Sequence, residues 1–186
     1  MPSIALIVVD AWEELSAYDS ELTLYDEEVN SFMNYLSFVT YYESLKSDIT
    51  VYHSHGNKPI SNKFYDYPQN FIALDDINQI STSHEHYLFC GFHYHMCIFK
   101  NIIKLSKIID TSKMGIVFNL SYSAPELYSE CLSFDYLDIH ESVEDNLELY
   151  DCYNLDDTNY DKLKISSIPL YYWTRTGYRM IDIKCV

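Results

Sequence analysis

Two residues in this chain stand where sequence context would lend them chemistry: Cys97 and Asp10. The segment Leu88-Phe89-Cys90-Gly91-Phe92-His93-Tyr94-His95-Met96-Cys97-Ile98 reads as a strand that ends at Gly91, a short turn, and a helix opening at Cys97. Backbone N–H groups and the helix dipole at such a point favour a thiolate, which lowers the cysteine pKa and activates sulfur as a nucleophile. The competing role for Cys97 is that of a small buried hydrophobe, the commoner fate of a free cysteine. Asp10 directly follows the apolar, β-branched run Ile4–Val9. A carboxylate in that position lies at the C-terminal edge of a sheet, where open α/β folds place their ligand crevices.

The histidines form a second group. His53 and His55 sit at the end of a predicted strand, where an i, i+2 pair shares one face, and His93 and His95 flank the turn before Cys97. Neutral imidazoles suit zinc, but surface and hydrogen-bonded histidines are far commoner, so no metal and no cofactor are expected.

The elements that must position these residues follow from periodicity. A run such as Ile4–Val9, apolar throughout, is a strand covered on both faces, as helices produce on a parallel sheet. Residues 11–27 read as a polar loop over the strand edge. From Glu28 to Lys46 the apolar positions Val29, Phe32, Met33, Leu36, Val39 and Tyr42 recur at helical spacing. A second strand is expected over Asp48–His53, a loop over Gly56–Pro68 and a short helix over Ala73–Ile80. His86–Gly91 is the third strand, and a helix over Met96–Ile109 turns Ile98, Ile102, Leu105 and Ile109 toward the sheet. Gly115–Phe118 is the fourth strand, closing at Asn119, and Ala124–Phe134 is expected to be helical. Strands are expected within Ile165–Trp173 and Met180–Val186, in no determinable order. Strands alternating with helices imply βαβ units and a mainly parallel α/β sheet. With no linker and no repeat, one domain over 1–186 is expected, its acidic C-terminal part beginning at about 135.

Composition narrows the partners. The 186 residues carry 28 Asp and Glu against 12 Lys and Arg, a net charge of −16. Such a chain repels phosphate backbones and anionic membranes, so nucleic-acid and membrane partners are not expected. No apolar run approaches the roughly 20 residues that span a bilayer, and the N-terminus does not read as a signal peptide. The five cysteines include no CxxC pair, which points to reduced thiols and a cytoplasmic setting. Nineteen tyrosines supply bulk with a polar tip, suited to half-buried and interfacial positions.

The residues Ala5-Leu6-Ile7-Val8-Val9-Asp10, followed some eighty positions later by Gly91 and Cys97-Ile98, resemble the isochorismatase-like (cysteine hydrolase) superfamily. Its members pair a first strand ending in Asp with a glycine-containing strand, turn and Cys-Val helix. The stretch Met114–Asn119 resembles a further family strand, with Asn119 standing where Asp is usual. The resemblance spans roughly residues 4–125. It implies a Rossmann-like three-layer α/β/α sandwich and an Asp-Lys-Cys triad of Asp10, Lys63 and Cys97, Lys63 fitting the lysine's place better than Lys58. In that scheme Asp10 takes the thiol proton, Cys97 attacks a carbonyl or nitrile-like carbon, and backbone N–H groups near the nucleophile form the oxyanion hole. His93, Tyr94 and Met96 replace smaller family residues and are expected to shape the pocket. Nicotinamidases of the same superfamily bind a metal near the place held here by His53-Ser54-His55; no third histidine follows in this loop, though His93 and His95 could approach.

The resemblance thus implies a hydrolase of a small amide, ureide or related C–N compound, with a small-molecule substrate and, as is common in the superfamily, a homo-oligomer. Two alternatives stay open. One is a catalytically silent binding protein, motivated by the acidic C-terminal third and the tyrosines. The other is an isochorismatase-type vinyl-ether hydrolase in which Asp10 is the general acid and cysteine chemistry plays no part.

Overall fold

The computed structural model describes residues 3–13, 26–67, 70–93, 97–122 and 168–180. These form one seven-stranded sheet with a helix on each face. In chain order the strands are β1 (Ile4–Val9), β2 (Ile49–Ser54), β3 (Phe71–Leu74), β4 (His86–Phe92), β5 (Met114–Tyr122), β6 (Leu170–Thr174) and β7 (Gly177–Met180). The longer helix α1 (Asp26–Ser44) lies between β1 and β2, and α2 (Phe99–Leu105) between β4 and β5. The spatial order is β3-β2-β1-β4-β5-β6-β7. All neighbours are parallel except the β6–β7 hairpin.

The apolar strands explain this arrangement. Along β1, Leu6 and Val8 pack on one side with Val29, Met33, Leu36 and Val39 of α1. Ala5, Ile7 and Val9 pack on the other with Ile98, Phe99, Ile102 and Leu105 around α2. A strand in that position has no solvated face, hence no polar alternation. Three acidic residues, Asp26, Glu27 and Glu28, occupy the first turn of α1, where they complement the helix dipole.

Three expectations are corrected. Ala73–Ile80 is not a helix: Phe71–Leu74 adds an edge strand to β2, and only Ile77–Gln79 turns as a 3-10 segment, capped by Asp76. The α1 face is narrower than its apolar pattern, with Tyr42 at 38% exposure while the acidic Glu43 is fully buried. The fourth strand runs on past Asn119 to Tyr122. The predicted Ala124–Phe134 helix, the acidic stretch from 135 and the end of the chain after Met180 lie outside the described residues.

The order β3-β2-β1-β4-β5 reverses direction between β1 and β4. Parallel sheets open a crevice at the carboxyl ends of the two strands flanking such a reversal. Asp10 follows β1 and His93 follows β4, so both candidate elements end at this point.

Candidate functional site

The convergence of β1 and β4 depends on Gly91. Its φ is +115°, and a Cβ added there would overlap the Val9 backbone, lying 2.7 Å from Val9 N. Only glycine lets the two strand ends approach this closely. Just beyond them, Asp10 (φ +55°) and His93 (φ +54°) both adopt the left-handed region, uncommon for non-glycine residues. Strained backbone of this kind persists where the surroundings over-determine it and clusters at functional sites.

Both turns are stitched in place. Asp10 N donates to Ser54 O (3.1 Å) and Trp12 N to Asp10 O (2.8 Å). On the other side Cys97 N donates to His93 O (2.9 Å), ahead of α2. Asn101 Nδ2 donates to Cys97 O (2.8 Å), and Ser54 Oγ donates to Asn101 Oδ1 (2.9 Å). A hydrogen-bonded chain from β2 therefore fixes the Cys97 backbone, a contribution that no local motif signalled.

The outcome is a buried cluster. The ligating atoms of Asp10, His93 and Cys97 all lie within 4.8 Å of one another. Asp10 Oδ2 and His93 Nδ1 are 3.6 Å apart, and both side chains are at least nine-tenths buried. Asp10 Oδ2 has no hydrogen-bond partner among the described residues. The Asp10 and Cys97 read from the sequence are thus brought together, and His93 joins them. Tyr94 and Met96, expected to line the same pocket, lie outside the described residues.

The electrostatics at Cys97 run opposite to the sequence expectation. Burial pushes the thiol pKa up, hydrogen bonding and charge from His93 oppose this, and the Asp10 carboxylate raises it further. Cys97 sits before α2 in a desolvated position beside a carboxylate, and both features disfavour the thiolate. Its own N–H, committed to His93 O, is also not a free oxyanion donor. Cys90 differs again: fully buried, its thiol pKa is raised strongly by desolvation alone.

The two candidate lysines fall in different surroundings. Lys58 Nζ lies 3.4 Å from the Trp12 ring centroid, a cation–π geometry, and the Trp12 ring is 6.0 Å from that of His93. The loop holding Lys58 is tied to the β1 exit by Trp12 Nε1 donating to His55 O (2.9 Å), and by Ser61 N to Ala11 O and Glu13 N to Pro59 O. Lys63 lies in the 3-10 turn Asn62–Tyr65, partly buried, and its carbonyl accepts from Ser37 Oγ of α1 (2.6 Å).

His53 and His55 separate. His53 is buried between Phe64 and Phe71, with ring centroids at 4.4 and 4.5 Å, and desolvation lowers its pKa to about 3. His55 shares a hydrogen bond with Lys58 O (2.7 Å) and faces Asp75 at 3.3 Å. Asn119 serves structure: Nδ2 donates to Trp173 O (3.1 Å) and Oδ1 accepts from Trp173 N (2.8 Å). A cleft of about 630 Å3 lies at the opposite, N-terminal sheet edge, lined by Lys46, Asp48, His86 and Tyr178 among others. Asp10, His93 and Cys97 are not among the residues that line this cleft.

No protein-family model matches the chain, and no curated protein does. Among solved structures, the chain is similar to MAR1 ribonuclease from Caenorhabditis elegans at 12% identity and TM-score 0.47, covering 79% of this chain and 73% of that one. It is also similar to a hypothetical protein from Trypanosoma cruzi at 11% identity and TM-score 0.48, covering 82% and 74%. Likeness at this level assigns no chemistry. No helix among the described residues is long and apolar enough to cross a membrane.

Proposed function

We propose that this protein is an isochorismatase-like cysteine hydrolase acting on a small amide, ureide or related C–N compound. The observation that carries the reading is the buried approach of Asp10 and Cys97 at the strand-order reversal, with their ligating atoms within 4.8 Å. A thiol with raised pKa beside a carboxylate is not a standing thiolate. It suits general-base activation, in which the proton leaves as sulfur attacks. Asp10 takes the Cys97 proton, Sγ bonds to the carbonyl carbon, and the tetrahedral intermediate collapses as Asp10 returns that proton to the departing nitrogen. Water then releases the acyl group from sulfur.

The lysine of the triad comes from the 58–63 loop in this proposal. Lys63 has the family spacing, while Lys58 is supported by its contact with Trp12 against His93. His93, buried beside Asp10, lines the pocket in this proposal.

Iodoacetamide labelling of the folded, metal-free protein tests the nucleophile. Cys97 should alkylate before the other four thiols, and Cys97→Ala should lose hydrolysis of a panel of small amides and ureides while keeping the wild-type melting profile. A Cys97 that stays unreactive in the folded state would sink the proposal. A Cys97→Ala variant with full turnover would transfer the chemistry to Asp10 as general acid.

A further inference from the structure

We propose that Asp10, His93 and Cys97 also form a three-ligand site for zinc, and that metal occupancy silences the thiol. The first part goes beyond the hydrolase reading; the silencing rests on it. Carboxylate oxygen, imidazole nitrogen and thiolate sulfur are the three donor types zinc takes from proteins, and three protein ligands with an open fourth position is the pattern of its open, catalytic-type sites.

Distance favours chelation over a simple ion pair. Zinc–ligand bonds of roughly 2.0–2.3 Å at tetrahedral angles place neighbouring donor atoms roughly 3.3–3.6 Å apart. Asp10 Oδ2 and His93 Nδ1 stand at 3.6 Å, beyond hydrogen-bond length and close to that edge. Cys97 Sγ lies within 4.8 Å of both, a gap a modest side-chain adjustment closes. A second observation points the same way: Asp10 Oδ2 is buried with no hydrogen bond among the described residues. Buried carboxylate oxygens are ordinarily satisfied, and a cation would satisfy this one. The left-handed backbone at Asp10 and His93 aims two ligands from separate strands at one point, the preorganisation a metal site requires.

The balance is simple. The Cys97 thiol loses its proton to solvent as the sulfur–zinc bond forms, and the sulfur lone pair needed for attack is then engaged. The resulting prediction is reversible inhibition: zinc and substrate compete for one sulfur.

The test uses the full chain stripped with a chelator, then titrated with Co2+ alone and Zn2+ alone. One equivalent of Co2+ should give a thiolate-to-cobalt charge-transfer band, abolished by Cys97→Ser. Zn2+ should displace the cobalt and protect Cys97 from iodoacetamide. His93→Ala should weaken zinc binding by at least about 100-fold, since even an outer-shell partner is worth 10–100-fold. Asp10→Asn serves as a second ligand variant should His93→Ala not fold. No charge-transfer band in the wild type, or zinc affinity unchanged in a folded ligand variant, overturns the metal site. Alkylation of Cys97 in the stripped protein, which tests the hydrolase reading, is unaffected by that failure. Zinc that binds tightly yet leaves Cys97 fully labelled would place the metal elsewhere and equally overturn the proposal.

Discussion

Two residues make opposite demands on their surroundings. Gly91 is irreplaceable for a steric reason: an added Cβ meets the Val9 backbone, not a side chain that could rotate away, and its φ is one L-residues avoid. Gly91→Ala should therefore cost at least about 3 kcal/mol, the upper end for backbone strain alone, read as a shift in urea midpoint; a loss under about 1 kcal/mol would mean that β1 and β4 do not close as described. His53 is a polar residue held neutral in an aromatic slot, its pKa lowered to about 3 by desolvation. The unfolded chain takes up a proton at this residue below about pH 6.5 and the folded one does not. Stability is therefore full above that value and falls as pH drops toward 3, by about 1.4 kcal/mol per unit. Relative to pH 8, the loss from this group at pH 5 should be about 2 kcal/mol. His53→Phe should remove that share of the pH slope, measured as the difference between variant and wild-type denaturation curves at the two pH values. Spacing put His53 and His55 together on one strand face, but it could not show that phenylalanines from two later segments would enclose the first.

At the scale of elements, the strands and helices around Asp10 and Cys97 were legible because each carries its own pattern. Ile4–Val9 is apolar throughout, and Ile98, Ile102 and Leu105 repeat at helical spacing and are all fully buried. Phe71–Leu74 was not legible, because an edge strand pairs on one side only and two of its four residues are exposed; its local pattern matches a short helix equally well. Nor could pattern show that Asn119 extends the β5–β6 pairing. Among the described residues the register pairs these strands at Ile116–Leu170 and Val117–Tyr171, Ile116 N donates to Pro169 O (3.0 Å), and the Asn119 amide adds two hydrogen bonds to Trp173 in ladder fashion. Asn119→Ala should cost about 1–3 kcal/mol by leaving the Trp173 backbone groups unpaired. Asn119→Asp can accept from Trp173 N but not donate to its carbonyl, and should recover part of that loss. Equal stability of both variants with the wild type would show that this pairing contributes nothing.

Across the whole molecule, the Glu43 network and the cluster of Asp10, His93 and Cys97 sit at opposite edges of the sheet. Glu43, near the end of α1, is fully buried and accepts from Trp173 Nε1 (2.9 Å) and Tyr178 OH (3.1 Å), while Lys46 Nζ pairs with it at 2.6 Å. Through it a helix from the first quarter of the chain grips a hairpin some 130 residues later. Burial and the Glu43 carboxylate hold the Tyr178 hydroxyl in its protonated, donating form by raising its pKa. No sequence pattern could signal this contact, since a glutamate three positions before a lysine on a helix reads as an exposed ion pair. Glu43→Ala would leave an indole N–H, a phenol and an ammonium without their acceptor, and should cost about 3–5 kcal/mol, as breaking buried ionic networks does. Glu43→Gln keeps one acceptor oxygen and should cost less. Both variants, assayed where they remain folded, should retain the wild-type rate of Cys97 alkylation, because the thiol is positioned by Ser54 and Asn101 at the far edge. A change in that rate alongside an intact fold would mean that the sheet transmits strain between its edges, and that the positions of Asp10 and Cys97 depend on the hairpin as much as on β1 and β4.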